Sequence, residues 1–184
     1  MIFAVNFNSI NIKFISQIMS KKKIKTILLS LTGLLLVMLI SCDPSKKYDQ
    51  EESARIQEYI NSNPTLDFVL KPSGLYYMDV QPGSGRLAVA HDTAYVMFSG
   101  TFLDGTIFTS NVGTTDTLIV PVGEGLLVSG LDEGISYMKQ GGKAILLCPS
   151  KLAYGAAGYY PYIQGYTSLL FDVELVRLKA GPGK

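Results

Sequence analysis

The chain has 184 residues, of which 47% are hydrophobic and 17% charged, so we expect one folded domain with a core, plus extensions. The net charge is +1, and four lysines lie in the short segment 21–25. The remainder of the chain therefore has no excess of basic residues, so nucleic acid is not an expected partner. The single histidine, His91, has no histidine or cysteine at metal-ligand spacing, so the sequence predicts no metal or other cofactor.

The N-terminal region predicts export. From Met19 a lysine-rich start leads into the apolar run 27–40 and the ending "LISC", which is the layout of a secretory signal. A transmembrane helix is the competing interpretation, but the uncharged stretch 26–42 is shorter than the roughly 20 apolar residues it needs. "LISC" resembles the bacterial lipobox. The resemblance implies a lipoprotein signal peptide at 19–41, a lipid on Cys42, and a location in the cell envelope on a bacterial membrane, at its periplasmic or outer-membrane face.

Two further expectations follow from this layout. Residues 1–18 form an upstream extension that the signal does not need, with Met19 as the true start. With Cys42 lipidated, Cys148 is the only thiol left. It ends the apolar run "AILLC", which favours a buried structural thiol over a nucleophile.

Residues 42–65 are polar and predict a tether. Within it Asp49 could cap a short helix that runs to about Ile60, and Asn63-Pro64 would close it. Its apolar stripe is thin, so two alternatives stay open: the helix packs lightly on the domain, or it serves as a spacer from the membrane.

Residues 66–179 carry the pattern of a folded domain, followed by a tail at 180–184. Short β-type runs alternate with glycine turns, and Asp104-Gly105 is a strong hairpin signal. In the last run, 168–178, apolar and polar residues alternate as in a half-buried antiparallel strand. One helix is predicted, from Ser129 or Gly130 to the stop at 141–142. About five antiparallel strands with one short helix across them make an α+β architecture, which we expect to fold alone as a monomer.

The loop "LAYGAAGYYPYIQG", residues 152–165, is rich in tyrosine and glycine. It contains no histidine, cysteine, aspartate or glutamate, and therefore none of the usual acids, bases, nucleophiles or metal ligands. A surface turn with partly buried tyrosines would explain it without any function.

Three segments in fixed order resemble the FKBP-type peptidyl-prolyl cis-trans isomerases: "FSGTFLDGTIFTS" (98–110), "VGEGLLVSGLDEGISYMKQGGKAILLCPSKLAYG" (122–155) and "GYTSLLFDVELVRL" (165–178). The resemblance runs from about Gly74 to Leu178. It implies an antiparallel half-barrel sheet wrapped around one short helix, isomerisation of X-Pro bonds, and proline-containing polypeptides as substrates. With the export signal, it implies a role in the folding of exported proteins.

The resemblance also implies a site. The catalytic positions it assigns are Tyr154, whose hydroxyl matches a donor to the bound imide, the Val128 backbone N–H, and the wall residues Phe108 and Phe171. The substrate-binding positions it assigns are Phe98, Thr109, Leu118, Leu127, Leu131, Tyr159, Tyr162 and Ile163.

Several positions depart from the usual family pattern. Phe98 replaces a common tyrosine, Thr109 a common aspartate, and Leu131 a common tryptophan. Leu118 replaces an aromatic residue, and Gln164-Gly165 stand where two prolines often occur. The pocket stays apolar but loses two polar contacts, so we expect modest catalysis. The alternatives are a proline-peptide binding module or holdase with this fold and little catalysis, and a structural lipoprotein.

Overall fold

The computed structural model describes residues 44–181. The predicted signal segment, the upstream extension and Cys42 lie outside the described residues, as do residues 182–184. Among residues 44–181 no helix combines the length and the apolar character that crossing a bilayer requires.

The first element is a 19-residue helix, α1, which spans Pro44–Ser62. It is longer at both ends than the predicted helix between Asp49 and Ile60. Proline is well tolerated at the start of a helix because its missing N–H would have no intrahelical acceptor there.

A seven-stranded sheet follows, and every pairing in it is antiparallel. Its strands are β1 (Val69–Leu70), β2 (Tyr76–Gln81), β3 (Thr93–Phe102), β4 (Ile107–Ser110), β5 (Leu118–Pro121), β6 (Lys143–Cys148) and β7 (Leu169–Lys179). The spatial order is β1-β2-β6-β7-β3-β4, and β5 also pairs with β3. The predicted α+β class with an open antiparallel sheet is confirmed. The strand number is higher than predicted, partly because β1 has only two residues, which is too short to show an alternating pattern.

Strand β7 shows the predicted alternation. Leu169, Phe171 and Val173 are buried, whereas Asp172 between the last two is exposed. Leu170 breaks the pattern because it is buried on the opposite face, where α1 covers it. The sheet is therefore covered on both faces.

The second helix, α2 (Ser129–Ser136), lies against β6. A Cβ atom on Gly130 would come within 2.5 Å of the Cys148 Sγ, and one on Gly134 within 2.3 Å of a Leu146 methyl carbon. These two glycines therefore let the helix backbone approach the strand closely. Cys148 is fully buried and carries no disulfide, as predicted for a structural thiol, and desolvation raises its pKa.

Helix α2 ends before the predicted stop at 141–142. The segment after it pairs with residues 85–88 instead of continuing the helix: the Ala88 N–H donates to the Met138 carbonyl, and the Gln140 N–H to the Arg86 carbonyl. This long-range pairing replaces the i to i−4 bonds that a longer helix would make.

Candidate active site

An apolar cavity of about 510 Å³ opens beside α2, within the size range of small-ligand sites. All the predicted pocket residues except Leu118 line it. The lining consists of Phe98, Phe108, Thr109, Leu126, Leu127, Val128, Leu131, Tyr154, Tyr159, Tyr162, Ile163 and Phe171. No residue of this lining carries a carboxylate, an imidazole, an amine or a guanidinium group.

Two other cavities of the described region are larger, at about 640 and 630 Å³. Both lie along α1, and acidic and basic side chains line both, including Arg55 and Asp104. Volume alone would favour them. The chemistry of the lining favours the smaller, uncharged cavity as the site.

The wall of the cavity is aromatic. The rings of Phe108 and Phe171 meet edge to face, with centroids 6.0 Å apart, and Phe171 is only 3% exposed. Gly100 makes room for this wall, because a Cβ atom there would come within 2.6 Å of the Phe108 ring. The hairpin between β3 and β4 thus positions Phe108 over the sheet.

Aliphatic side chains complete the enclosure. Leu131 on α2 and Ile163 in the loop after β6 are both 3% exposed and belong to the main core. Leu131 stands where the family often has a larger tryptophan, so this part of the cavity is aliphatic.

Several hydrogen-bond donors in the cavity lining have no acceptor within the described residues, and two of them belong to predicted catalytic positions. One is the Val128 N–H, which precedes α2. The other is the Tyr154 hydroxyl. Every buried side-chain oxygen or nitrogen in the described part of the chain has a partner, so this hydroxyl is reached by solvent and not sealed in the core. Both donors are therefore available to a ligand.

The segment before Val128 is held in place by hydrogen bonds to the Asp132 carboxylate. Asp132, in the first turn of α2, accepts hydrogen bonds from the Gly123 and Gly125 N–H groups at 2.8 and 3.0 Å. Both glycines have positive φ. This arrangement holds the turn before α2 and places Leu126 and Leu127 in the lining.

Tyrosines form the rim. The Tyr154 ring lies 5.5 Å from the Tyr159 ring, which in turn stacks on Tyr162 at 6.1 Å. The turn that carries them closes through two hydrogen bonds between Tyr159 and Ile163. Its tip contains a cis Tyr160–Pro161 peptide, and Tyr160 is 92% exposed.

The lining differs from the prediction at two leucines. Leu118 does not line the cavity: it pairs with Val96 across β3 and β5 and packs against the main core. Leu126 lines the cavity although the sequence analysis did not select it. Leu126 is 69% exposed, so it is not part of the buried pattern from which wall residues are predicted. Only its position beside Leu127 could have indicated that it lines the cavity.

The single histidine and the buried carboxylate of Asp92 both lie outside the cavity lining. His91 is exposed, and its Nδ1 lies 2.5 Å from a Glu124 carboxylate oxygen, outside the cavity. Arg86 and two backbone N–H groups hold the pKa of buried Asp92 at about 2. Chemistry in this cavity must therefore work without a carboxylate, an imidazole or an amine in the lining.

Comparison with known proteins agrees with this geometry. A sequence model described as FKBP-type peptidyl-prolyl cis-trans isomerase matches residues 85–176. An FK506-binding protein of Neisseria meningitidis is 37% identical over 105 residues, which cover 57% of this chain and 96% of that protein. The FKBP-type peptidyl-prolyl cis-trans isomerase FkpA of Escherichia coli is 37% identical over 110 residues, which cover 60% of this chain and 40% of that protein. The crystal structure of FkpA from Escherichia coli superposes with a TM-score of 0.63 at 28% identity, over 89% of this chain and 75% of that one. On these grounds the chain belongs to the family of FKBP-type peptidyl-prolyl cis-trans isomerases.

Proposed function

We propose that this protein accelerates rotation about X-Pro bonds in exported polypeptides while they fold, and that it does so from a lipid anchor on Cys42 in the bacterial cell envelope. One observation carries the catalytic part: an uncharged, aromatic-walled cavity has the Val128 N–H and the Tyr154 hydroxyl in its lining, and neither donor has an acceptor within the described residues.

The reaction needs no proton transfer and no covalent intermediate. Amide resonance keeps the peptide bond planar with a barrier of about 18–20 kcal/mol, and uncatalysed X-Pro exchange takes about tens to hundreds of seconds. The planar form carries separated charge that water stabilises, whereas the twisted form carries less. Moving the bond from water into an apolar site therefore lowers the barrier.

Each group of cavity residues contributes a different interaction with the substrate. Phe108 and Phe171 exclude water from the twisting bond. The Val128 N–H donates to a substrate carbonyl and fixes its position, while the Tyr154 hydroxyl donates to the carbonyl of the bound imide. Tyr159 and Tyr162, at the rim, contact the flanking residues of the polypeptide.

A protease-coupled assay on a proline tetrapeptide tests the catalytic proposal. The expected result is isomerisation above the uncatalysed rate, at a modest level because Phe98 and Thr109 lack the polar groups common at their positions. If a protein with native circular dichroism gave no acceleration but bound the same peptide in calorimetry, the binding-module alternative would replace the proposal.

The anchoring proposal rests on "LISC" behind the apolar run 27–40. Mass spectrometry of the protein from a bacterial host that processes lipoproteins should find a lipid on Cys42 and no residue before it. A Cys42→Ser variant should remain unmodified and leave the membrane fraction. An intact, unmodified Cys42 inside a longer N-terminus would refute the anchor. We also propose that the protein acts as a monomer. Analytical ultracentrifugation of the domain released from the membrane should then give the mass of one chain.

A further inference from the structure

Glu52 on α1 is a buried carboxylate with partners far away in sequence. It is 6% exposed, and its two oxygens accept three hydrogen bonds. Ser150 donates its backbone N–H at 2.6 Å and its hydroxyl at 2.7 Å, and the Ser168 hydroxyl donates at 2.6 Å. A buried charge is costly unless such donors satisfy it, so these contacts are specific and strong.

Ser150 and Ser168 are the two ends of the loop that carries the cavity tyrosines. The Ser150 carbonyl accepts the N–H groups of Ala153 and Gly155, which form the turn around Tyr154. Ser168 directly precedes β7, which supplies the wall residue Phe171. One carboxylate therefore joins the entry and the exit of the loop 150–168.

Further contacts from α1 reach the same loop. The Tyr48 ring stacks on Tyr166 with centroids 4.7 Å apart, and Arg55 donates to the Tyr166 carbonyl at 3.1 Å. Tyr166 has a φ of 57°, a left-handed conformation that residues other than glycine rarely adopt. Its N–H donates to the Gly155 carbonyl and closes the neck of the loop.

These contacts lie on successive turns of one helix face. Tyr48, Glu52 and Arg55 are spaced by four and three residues, and Ile56 beside them packs on Leu147 and Leu170 of the sheet. The apolar contact attaches the helix to the sheet, and the polar contacts reach the loop. The whole helix lies outside residues 85–176, the part of the chain that the family model matches.

We propose that Glu52 is a positioning residue for the isomerase reaction, and that α1 braces the loop 150–168 so that the Tyr154 hydroxyl stays directed at the cavity. The inference deepens the proposed function and rests on it for its catalytic consequence. The brace itself can be tested whether or not the protein is an active isomerase.

The experiment uses the full mature chain and compares Glu52→Ala with the matched control Glu51→Gln. Glu51 is the neighbouring acidic residue, and it makes an exposed ion pair with Lys47 at 3.7 Å. Hydrogen exchange followed by mass spectrometry should show faster exchange in peptides covering 150–168 for Glu52→Ala. Exchange in β3 and β6 should stay unchanged, and Glu51→Gln should match the wild type throughout. If loop exchange is unchanged, or rises equally in all strands, the brace is refuted.

A double-mutant cycle tests the catalytic consequence. Glu52→Ala should lower kcat/KM on a proline tetrapeptide by about threefold to tenfold, and adding Tyr154→Phe should lower it by less than about twofold more, because neighbours that act as a unit are not additive. Full additivity would show that Glu52 does not act through Tyr154, which contradicts the proposal. A lower melting temperature, with kcat/KM unchanged at temperatures well below it, would show that Glu52 acts on stability only. If the wild type proves inactive, the proposed function fails while the exchange experiment still decides on the brace.

Other variants cover the case in which Glu52→Ala does not fold. Glu52→Gln keeps an acceptor for the Ser150 N–H and should give intermediate values in both measurements. Arg55→Ala and Tyr48→Ala each remove one contact between α1 and Tyr166. Both variants should speed amide hydrogen exchange at the neck of the loop. If all three leave loop exchange at the wild-type level, the inference is wrong.

Discussion

The Tyr154→Phe substitution separates catalysis from stability more cleanly than any other change in the site. It removes one oxygen atom and keeps the ring, so the contact with Tyr159 at 5.5 Å remains. No described residue accepts a hydrogen bond from this hydroxyl, and the core loses no apolar surface. The melting temperature should therefore stay at the wild-type value.

The expected kinetic loss follows from one hydrogen bond. A neutral hydrogen bond contributes about 0.5–1.5 kcal/mol net. At about 1.4 kcal/mol per factor of ten, kcat/KM should fall by about twofold to twelvefold. The loss should appear in kcat more than in KM if the bond strengthens as the imide twists, because only interactions stronger in the transition state raise kcat.

The assay is protease-coupled isomerisation of a proline tetrapeptide at several substrate concentrations, with thermal unfolding measured in parallel. Tyr95→Phe is the matched control, since Tyr95 lies on β3 against Arg177, with its ring 3.8 Å from the guanidinium carbon, and is absent from the cavity lining. It should leave kcat/KM unchanged. Wild-type kcat/KM in Tyr154→Phe would refute the role of the hydroxyl. A loss beyond a hundredfold would show that it does more than donate one neutral hydrogen bond.

Four further predictions follow from the same structure. Phe171→Ala should lower the free energy of unfolding by about 3–5 kcal/mol and reduce kcat/KM further than Tyr154→Phe, because it opens the wall to water; denaturant titration and the coupled assay measure both. Between about pH 6 and 8 the rate should be nearly flat, since the lining has no histidine or carboxylate; a bell-shaped profile would contradict this. The folded-state pKa of Asp92 is about 2, below its usual 3.8, so its contribution to stability is full above about pH 4 and is lost as the pH falls toward 2. Thermal unfolding against pH should therefore be flatter in Asp92→Asn over that interval, and an equal slope would refute the assignment. A chain starting at residue 66 should still fold by circular dichroism but be less stable by about 1–3 kcal/mol, because the leucines under α1 lose their cover.

The sequence alone predicted the fold class because burial in strands repeats along the chain. From Leu169 to Leu175 every second residue of β7 belongs to the main core, and this period of two is visible without any partner strand. The hairpin at Asp104-Gly105 and the uncharged loop around Tyr154 are likewise local features, which can be recognised from the residues of one short segment. Two-residue β1 has no period to read, so it was missed.

Most of the candidate site could also be predicted, since its lining comes from motifs whose order along the chain is distinctive. Leu118 and Leu126 show the limit. Leu118 was a predicted wall residue and Leu126 was not. Leu118 pairs with Val96 across β3 and β5 and packs against the main core, whereas Leu126 lines the cavity, and neither placement is visible in the local sequence.

The contacts of α1 with the rest of the domain were decided by the tertiary structure. Its apolar stripe is thin, and a pattern of polar residues predicts a solvated tether. Glu52 is charged, and charged residues are rarely buried without partners. Its partners Ser150 and Ser168 lie 98 and 116 residues away in the sequence and are brought beside it by the tertiary fold. Periodic burial is a local property that a sequence displays, whereas satisfaction of a buried charge depends on groups that only folding brings together.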